Sequence, residues 1–190
     1  MIPADLLIEA YRQGIFPMAM EDGEIGWFSP DPRTIILLED FHVPHGLRRA
    51  LKRNEFEIRF DHCFEEVMRA CARREETWIS EEIIESYCHL HRLGLAHSVE
   101  AWKDGKIAGG LYGVALGAAF FGESMFHEVT DASKVALNAL VNRMRERGFK
   151  LLDVQWLTPH LEQFGAAEVS RSRYLKLLAA SMKSECRLIA

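Results

Sequence analysis

Apolar and polar positions follow two periods along this chain, one typical of helices and one typical of strands. In the first half of the chain they predict a helix up to Gly14, a strand over 34–38, a basic helix over 47–52, a strand over 56–60 and helices over 61–72 and 80–94. Three strands are predicted next, over 97–102, 106–115 and 118–125, and a long helix follows over 131–148. The last predicted elements are a strand over 151–156, a short helix over 158–165, a strand over 167–169 and a helix from Ser170. Asp61 and Ser80 are predicted helix caps, because their side-chain oxygens accept free backbone N–H groups. Antiparallel strands followed by helix, strand and helix indicate a mixed α+β fold around one central sheet.

The segment from Ile15 to Arg33 interrupts this regular pattern. It contains three prolines and two glycines, which forbid long regular structure. We therefore expect an irregular junction there, with a small N-terminal domain at residues 1–32 and the main domain at residues 33–190. Trp27, in the middle of this segment, either plugs the core or lines a pocket.

The composition is that of an ordinary globular protein with reduced cysteines. Its 48% hydrophobic and 27% charged residues exclude disordered, collagen-like and coiled-coil chains, and a net charge of −5 argues against a protein that coats long nucleic acids. None of the four cysteines forms a CxxC pair, the amino terminus lacks the features of a signal peptide, and the apolar stretch 107–125 is broken by glycines. These features predict a cytoplasmic protein without disulfides, metal or a membrane span.

Three polar residues inside apolar strands are candidates for chemistry. Glu123 lies in FFGESMF, and Asp153 and Gln155 lie two apart in LLDVQW, so the latter two share one face of a strand. One interpretation is that all three only form hydrogen bonds at strand ends. The other is that they converge on a cleft, where they bind a cationic group and guide a proton during a transfer reaction.

A second candidate is the basic stretch at residues 47–53. Between residues 48 and 74, eight Lys or Arg residues stand against five Asp or Glu residues, a local charge of +3 in an acidic chain. The cations of the stretch itself are Arg48, Arg49, Lys52 and Arg53. They indicate either a contact with the end of a nucleic acid or a solvated helix face.

Seven sequence blocks, taken together, resemble a known family. In this order, YRQGIFP, WFSPDPR, TWI with LHRLGLAHSVE, GGLYGVALG, FFGESMF, DASKVAL and DVQ…HLEQFGA are similar to the leucyl/phenylalanyl-tRNA–protein transferases. The resemblance extends from about Leu6 to the last helix, and the chain begins at the family's first helix, as in a short form. After GIFP it has Met18, where many members carry an aromatic residue.

The resemblance implies a fold and a reaction. The fold is a small N-terminal domain packed on a larger N-acetyltransferase-like (GNAT-like) domain with a mixed, mainly antiparallel sheet. The reaction moves leucine or phenylalanine, with methionine as a further candidate, from aminoacyl-tRNA to the α-amine of proteins that begin with Arg or Lys, which marks them for degradation. Neither a metal nor a soluble cofactor is implied.

The resemblance also assigns roles to residues. Asp153 and Gln155 match the catalytic Asp-x-Gln, Glu123 matches a glutamate of the catalytic cleft, and Trp78 matches a tryptophan that stacks on the terminal adenosine of the tRNA. The positions implied around the donor are Leu111, Phe120, Met125, Met18 and Trp27. An apolar pocket of this kind selects Leu, Phe or Met for their size and lack of charge.

Two other functions are compatible with these features. One is a protein that binds the tRNA end without catalysing transfer, against which Glu123, Asp153 and Gln155 together speak. The other is an acetyl-CoA-dependent acetyltransferase, which needs a glycine-rich pyrophosphate loop before a helix. The long helix here is preceded instead by EVTDAS, which is not such a loop.

Overall fold

The computed structural model describes residues 1–74 and 76–189. Its elements are α1 (Ala4–Arg12), β1 (Phe16–Ala19), β2 (Ile25–Phe28), β3 (Arg33–Leu37), a 3₁₀ turn (Leu38–Asp40), α2 (His45–Arg53), β4 (Glu57–Phe60), α3 (Phe64–Cys71), α4 (Glu81–Arg92), β5 (Ala96–Lys103), β6 (Lys106–Leu116), β7 (Ala119–His127), α5 (Ala132–Glu146), β8 (Leu151–Gln155), α6 (Pro159–Glu162), β9 (Ala167–Val169) and α7 (Arg171–Ser181). The prediction of a mixed α+β fold is confirmed.

Seven strands form the central sheet, in the order β4-β5-β6-β7-β8-β3-β9. Neighbouring strands are antiparallel except β7 and β8, which run parallel because α5 carries the chain back to the starting edge of β7. Asp104 and Gly105 join β5 to β6 with φ values of 51° and 72°, the left-handed geometry of a tight hairpin turn. The predicted mainly antiparallel sheet is therefore confirmed.

Helices cover both faces of this sheet. Side chains of β6 alternate between the two faces, with Tyr112 in the core beneath α3 and α4 and Leu111 in the core beneath α5. The long helix predicted over 131–148 is α5, and its apolar stripe is buried throughout: Val135, Leu137, Leu140, Val141 and Met144. Two hydrophobic cores, one on each face, thus hold the sheet.

Two local predictions were wrong. The segment from Ile15 to Arg33 is not irregular, because β1 and β2 form a short hairpin that buries Phe16. Asp61 does not cap α3: it has a φ of 57°, and its carboxylate accepts hydrogen bonds from His97 Nδ1 (2.7 Å) and Ser98 N (2.8 Å) on β5. The predicted cap at Ser80 is confirmed, since its hydroxyl accepts the N–H of Ile83.

The first elements share a core with the rest of the chain. Tyr11 and Phe16 are buried in the same cluster as Phe64 and Tyr87, and Ile2 N donates to Ser86 Oγ on α4 at 2.8 Å. The division into domains at residues 1–32 and 33–190 stays a prediction. Within the described ranges, no helix has the length and apolar character needed to cross a membrane.

Candidate active site

A cavity opens where β7 and β8 separate. The two strands pair only over residues 119–121 and 151–153, and beyond Gly122 they diverge. The space between them has a volume of about 430 Å³. It is lined by Phe16, Met18, Arg74, Trp78, Leu111, Tyr112, Gly122, Glu123, Ser124, Met125, Leu137, Leu140, Leu152, Val154, Gln155, Trp156, Thr158, His160 and Leu161.

The lining has an apolar part and a polar part. Five leucines, with Met125 and Val154, provide aliphatic surface from α5, α6 and the strands. Glu123, Gln155, Ser124 and Arg74 provide polar groups, and the buried hydroxyl of Tyr112 has no hydrogen-bond partner among the described residues. Such a cavity suits a ligand with an apolar side chain joined to a polar, reactive group.

Glu123 belongs to a hydrogen-bonded group at the polar part. Its Oε1 accepts hydrogen bonds from Tyr11 Oη at 2.7 Å and from Gln155 Nε2 at 3.4 Å, and the hydroxyl of Tyr11 also bonds that of Tyr87. The pKa of Glu123 is raised to about 8, chiefly by burial and also by the nearby carboxylate of Asp153, while the tyrosine hydroxyls and Arg33 oppose the shift. Glu123 is therefore mostly protonated in the ligand-free protein near neutral pH.

Asp153 is held in a buried ion pair with Arg33. Arg33 Nε and Nη2 donate to its two carboxylate oxygens at 2.9 and 2.8 Å, and Tyr174 Oη donates to Oδ2 at 2.6 Å. The guanidinium lies between the rings of Phe16 (4.9 Å) and Tyr174 (4.6 Å), and Nη1 donates to the carbonyl of Gly14. Both charged side chains are almost fully buried, so the bidentate geometry and the extra donors are needed to offset their desolvation.

The same carboxylate fixes the backbone of Gln155. Asp153 Oδ1 accepts the N–H of Gln155 at 3.0 Å, and Gln155 has a φ of 62°, a left-handed value that is strained for a residue with a Cβ. This bend directs the Gln155 side chain into the cavity next to Glu123, whereas Asp153 does not line the cavity. Asp153 thus acts on the site through the backbone of Gln155.

The other predicted donor positions divide into two groups. Trp78, Leu111, Met125 and Met18 line the cavity. Phe120 is fully buried in the core with Leu111 and does not reach the cavity surface. Trp27 is 41% exposed and pairs with Pro17 across the β1–β2 hairpin, so it lies on the opposite face of the hairpin from Met18.

The basic stretch forms α2, which packs on α5. Leu47 and Ala50 are buried against that helix, while Arg48, Arg49, Lys52 and Arg53 are exposed and do not line the cavity. Arg53 lies 3.6 Å from Glu55 and 3.5 Å from Asp131. Over residues 1–74 and 76–189, no cluster of three or more His, Cys, Asp or Glu side chains is arranged to hold a metal ion.

Comparison with known proteins adds independent evidence about this chain. The family model described as Leucyl/phenylalanyl-tRNA protein transferase matches residues 35–179, and the model of its N-terminal domain matches residues 1–31. The chain belongs to this family. Relatives named leucyl/phenylalanyl-tRNA–protein transferase include one from Herpetosiphon aurantiacus, 58% identical over 94% of this chain and 93% of the relative, and one from Paramagnetospirillum magneticum, 56% identical over 95% and 90%.

A solved structure of a differently named protein has a similar fold. The structure of L-PGS from Bacillus licheniformis matches 95% of this chain and 71% of its own, with a TM-score of 0.51 and 11% identity, a likeness of fold alone. A GCN5-related N-acetyltransferase-like protein from Streptococcus suis matches 87% of this chain and 64% of its own, with a TM-score of 0.39 and 14% identity.

The sequence reasoning missed several residues of this transferase-family site. Arg33 stood in the WFSPDPR block, but its partner lies 120 positions away along the chain. Tyr11 stood in the YRQGIFP block, but the partner of its hydroxyl, Glu123, lies 112 positions away along the chain. Trp156 follows Gln155 directly, and an exposed tryptophan next to a candidate catalytic residue was a usable signal.

The raised pKa of Glu123 predicts a pH-dependent stability in this family member. In the folded chain the Glu123 carboxyl keeps its proton up to about pH 8, whereas in the unfolded chain it releases the proton near pH 4.5. The contribution of this carboxyl to the free energy of unfolding is therefore complete below about pH 4.5 and is lost as the pH rises to about 8. We expect the free energy of unfolding of the wild type, relative to Glu123→Gln, to fall between pH 5 and pH 8. Urea unfolding at several pH values measures this difference, and a constant difference would contradict the assigned environment.

Proposed function

We propose that this chain transfers leucine or phenylalanine from aminoacyl-tRNA to the N-terminal α-amine of proteins that begin with Arg or Lys, and so marks them for degradation. The observation that carries the proposal is one cavity that combines an apolar pocket, a tryptophan and the Gln155–Glu123 pair. Family membership supports the same reaction. Since aminoacyl-tRNA is a cytoplasmic substrate, the reaction would take place in the cytoplasm.

The donor end would fill the cavity from two sides. The terminal adenosine stacks on Trp78, which adjoins the β1–β2 hairpin through the hydrogen bond from Ala19 N to its carbonyl, with Met18 beside it. The transferred side chain enters the apolar part between Leu111, Met125 and the leucines of α5, and Phe120 supports that wall from behind. An apolar wall rejects charged side chains but separates close analogues by only about 1–3 kcal/mol.

The chemistry is aminolysis of the tRNA ester. The acceptor amine attacks the ester carbonyl, the new C–N bond forms, the C–O bond to the ribose breaks, and the ribose oxygen leaves with a proton. An α-amine has a pKa of about 8, so part of it is already neutral near pH 7 and positioning matters more than a strong base. The side-chain amide nitrogen of Gln155 donates a hydrogen bond to Glu123. The side-chain carbonyl oxygen of Gln155 is therefore free to accept a hydrogen bond from the attacking amine.

Asp153 and Glu123 would have different tasks. Asp153 is a positioning residue, because it holds the backbone of Gln155 and is itself neutralised by Arg33. Glu123 orients the Gln155 amide, and its carboxyl group would hold the acceptor's amine or the ribose edge of the donor. The exposed cations of α2 (Arg48, Arg49, Lys52 and Arg53) would contact tRNA phosphates outside the cavity.

An acetyl-CoA-dependent activity is the second candidate on this fold, but the helix start argues against it. A pyrophosphate needs free backbone N–H groups and a positive field at a helix N-terminus. Here the carboxylate of Asp131 stands at the start of α5, paired with Lys134 at 3.0 Å, in the place that a pyrophosphate would need.

A parallel assay tests the proposed function. The purified chain is incubated with radiolabelled leucyl-tRNA and a peptide that begins with Arg, and separately with radiolabelled acetyl-CoA and the same peptide. We expect the leucyl group, and not the acetyl group, to appear on the peptide. An Nα-acetylated peptide is the control, since it has no free α-amine, and labelling by acetyl-CoA alone would refute the proposal.

Trp78→Ala is expected to weaken binding of the donor by about 1–3 kcal/mol, the usual contribution of one base stacked on an aromatic side chain. The rate at saturating donor should change much less, since Trp78 does not touch the Gln155–Glu123 pair in the described contacts. Titration with charged tRNA measures the affinity, and thermal unfolding serves as the control. Unchanged affinity with reduced stability would show that Trp78 is only a core residue.

A further inference from the structure

Trp156 is a large apolar side chain that stays exposed at the mouth of the cavity. It is 44% exposed, yet it lines the cavity. Its ring makes edge contacts with Phe16 (centroid distance 5.2 Å, interplanar angle 89°) and with Phe28 (6.5 Å, 65°). These contacts hold the indole in place and leave part of it to a ligand.

The position of Trp156 relates it to the acceptor. It follows Gln155 directly, and neighbouring Cα atoms lie about 3.8 Å apart. If Gln155 receives the acceptor's α-amine, a group over Trp156 lies within one side-chain length of that amine. Trp78 and Met18, the residues proposed to bind the donor, lie near the other end of β1, where Ala19 N donates a hydrogen bond to the carbonyl of Trp78.

The polar part of the cavity offers little negative charge to a cation. Glu123 is the single carboxylate among the lining residues that the structure describes, and its raised pKa keeps it mostly neutral near pH 7 in the free protein. Asp153 is already paired with Arg33. An acceptor that begins with Arg or Lys therefore needs a further partner for its charged side chain.

We propose that the exposed indole of Trp156 binds the cationic side chain of the acceptor's first residue through a cation–π contact. Tryptophan provides the strongest such contact among the aromatic residues. A guanidinium also stacks flat on the ring, which favours Arg over Lys. This inference rests on the proposed function, because it assumes an acceptor with a cationic first residue.

The test compares acceptors that differ only in charge. Transfer from saturating leucyl-tRNA is measured for peptides that begin with Arg or with citrulline, its neutral isostere, using wild type, Trp156→Phe and Trp156→Leu. We expect Trp156→Leu to raise KM for the Arg peptide about fivefold to twentyfold, with little change for the citrulline peptide. Trp156→Phe should retain most of the preference for Arg. Leu157→Ala is the matched control, since Leu157 is 37% exposed but does not line the cavity.

Each other outcome has a defined meaning. An equal rise in KM for both peptides would overturn the inference, and so would an unchanged ratio of the Arg and citrulline KM values in both Trp156 variants. In either case, transfer by the wild type would still support the proposed function. A rise in KM for leucyl-tRNA, but not for leucyl-adenosine, would show that Trp156 stacks on a donor base and would also overturn it. Absence of transfer by the wild type to any peptide would instead refute the proposed function.

Discussion

Gln155→Asn is expected to slow aminoacyl transfer at saturating substrates by about 100-fold or more, the lower range for loss of a positioned proton-transfer group. Asparagine is the matched replacement because it tolerates the positive φ of this position and keeps an amide, but its side chain is one methylene shorter. The shorter amide can no longer reach Glu123 and the attacking amine together. Single-turnover transfer from leucyl-tRNA to an Arg peptide measures the effect.

Binding and folding should survive in this variant. We expect the affinity for charged tRNA and the melting temperature to stay close to the wild-type values, because Gln155 contributes one long side-chain hydrogen bond of 3.4 Å. Gln155→Ala provides a second measurement, since it removes the amide and keeps the Cβ that already stands at the positive φ. A transfer rate within threefold of the wild type in both variants would remove Gln155 from the mechanism.

Asp153→Ala is expected to damage both stability and activity. Removing one partner of a buried ion pair leaves the Arg33 guanidinium uncompensated, which costs about 3–5 kcal/mol. For a domain of this size, that cost lowers the melting temperature by about 6–20 °C. Transfer should also fall by orders of magnitude, because the N–H of Gln155 loses its acceptor. Calorimetry and the transfer assay measure the two effects.

A double variant separates the two consequences. Arg33→Met with Asp153→Leu removes both charges and fills the space with apolar atoms, a change that is often neutral or stabilising for buried pairs. We expect it to recover much of the lost melting temperature but not the transfer activity. Recovery of both would show that Asp153 supports only the fold.

Local rules were sufficient for most of the secondary structure. The cap at Ser80, the strands β5 and β6 and the long helix α5 each depend on residues a few positions apart, and each was predicted correctly. The cap predicted at Asp61 was wrong because its carboxylate accepts hydrogen bonds from His97 and Ser98 on β5. This contact joins distant parts of the chain, and no local pattern reveals it.

The candidate site was predictable only in part, for the same physical reason. Gln155 and Glu123 stood out as polar residues in apolar strands, and the structure brings their side chains together. The ion pair between Arg33 and Asp153 could not be predicted, because it joins β3 to β8 across 120 positions of the chain. The bend at Gln155 separates its side chain from that of Asp153. It is held by the hydrogen bond from Gln155 N to the Asp153 carboxylate, which strand periodicity does not reveal.

The most direct test is a crystal structure of the chain with a non-hydrolysable leucyl-adenosine, in which an amide replaces the ester. We expect the analogue in the cavity between β7 and β8, with its adenine on Trp78, its leucyl side chain among Leu111, Met125 and Leu140, and its carbonyl beside Gln155. Binding elsewhere on the surface, or in the reverse orientation with the leucyl group on Trp78, would contradict the proposed active site.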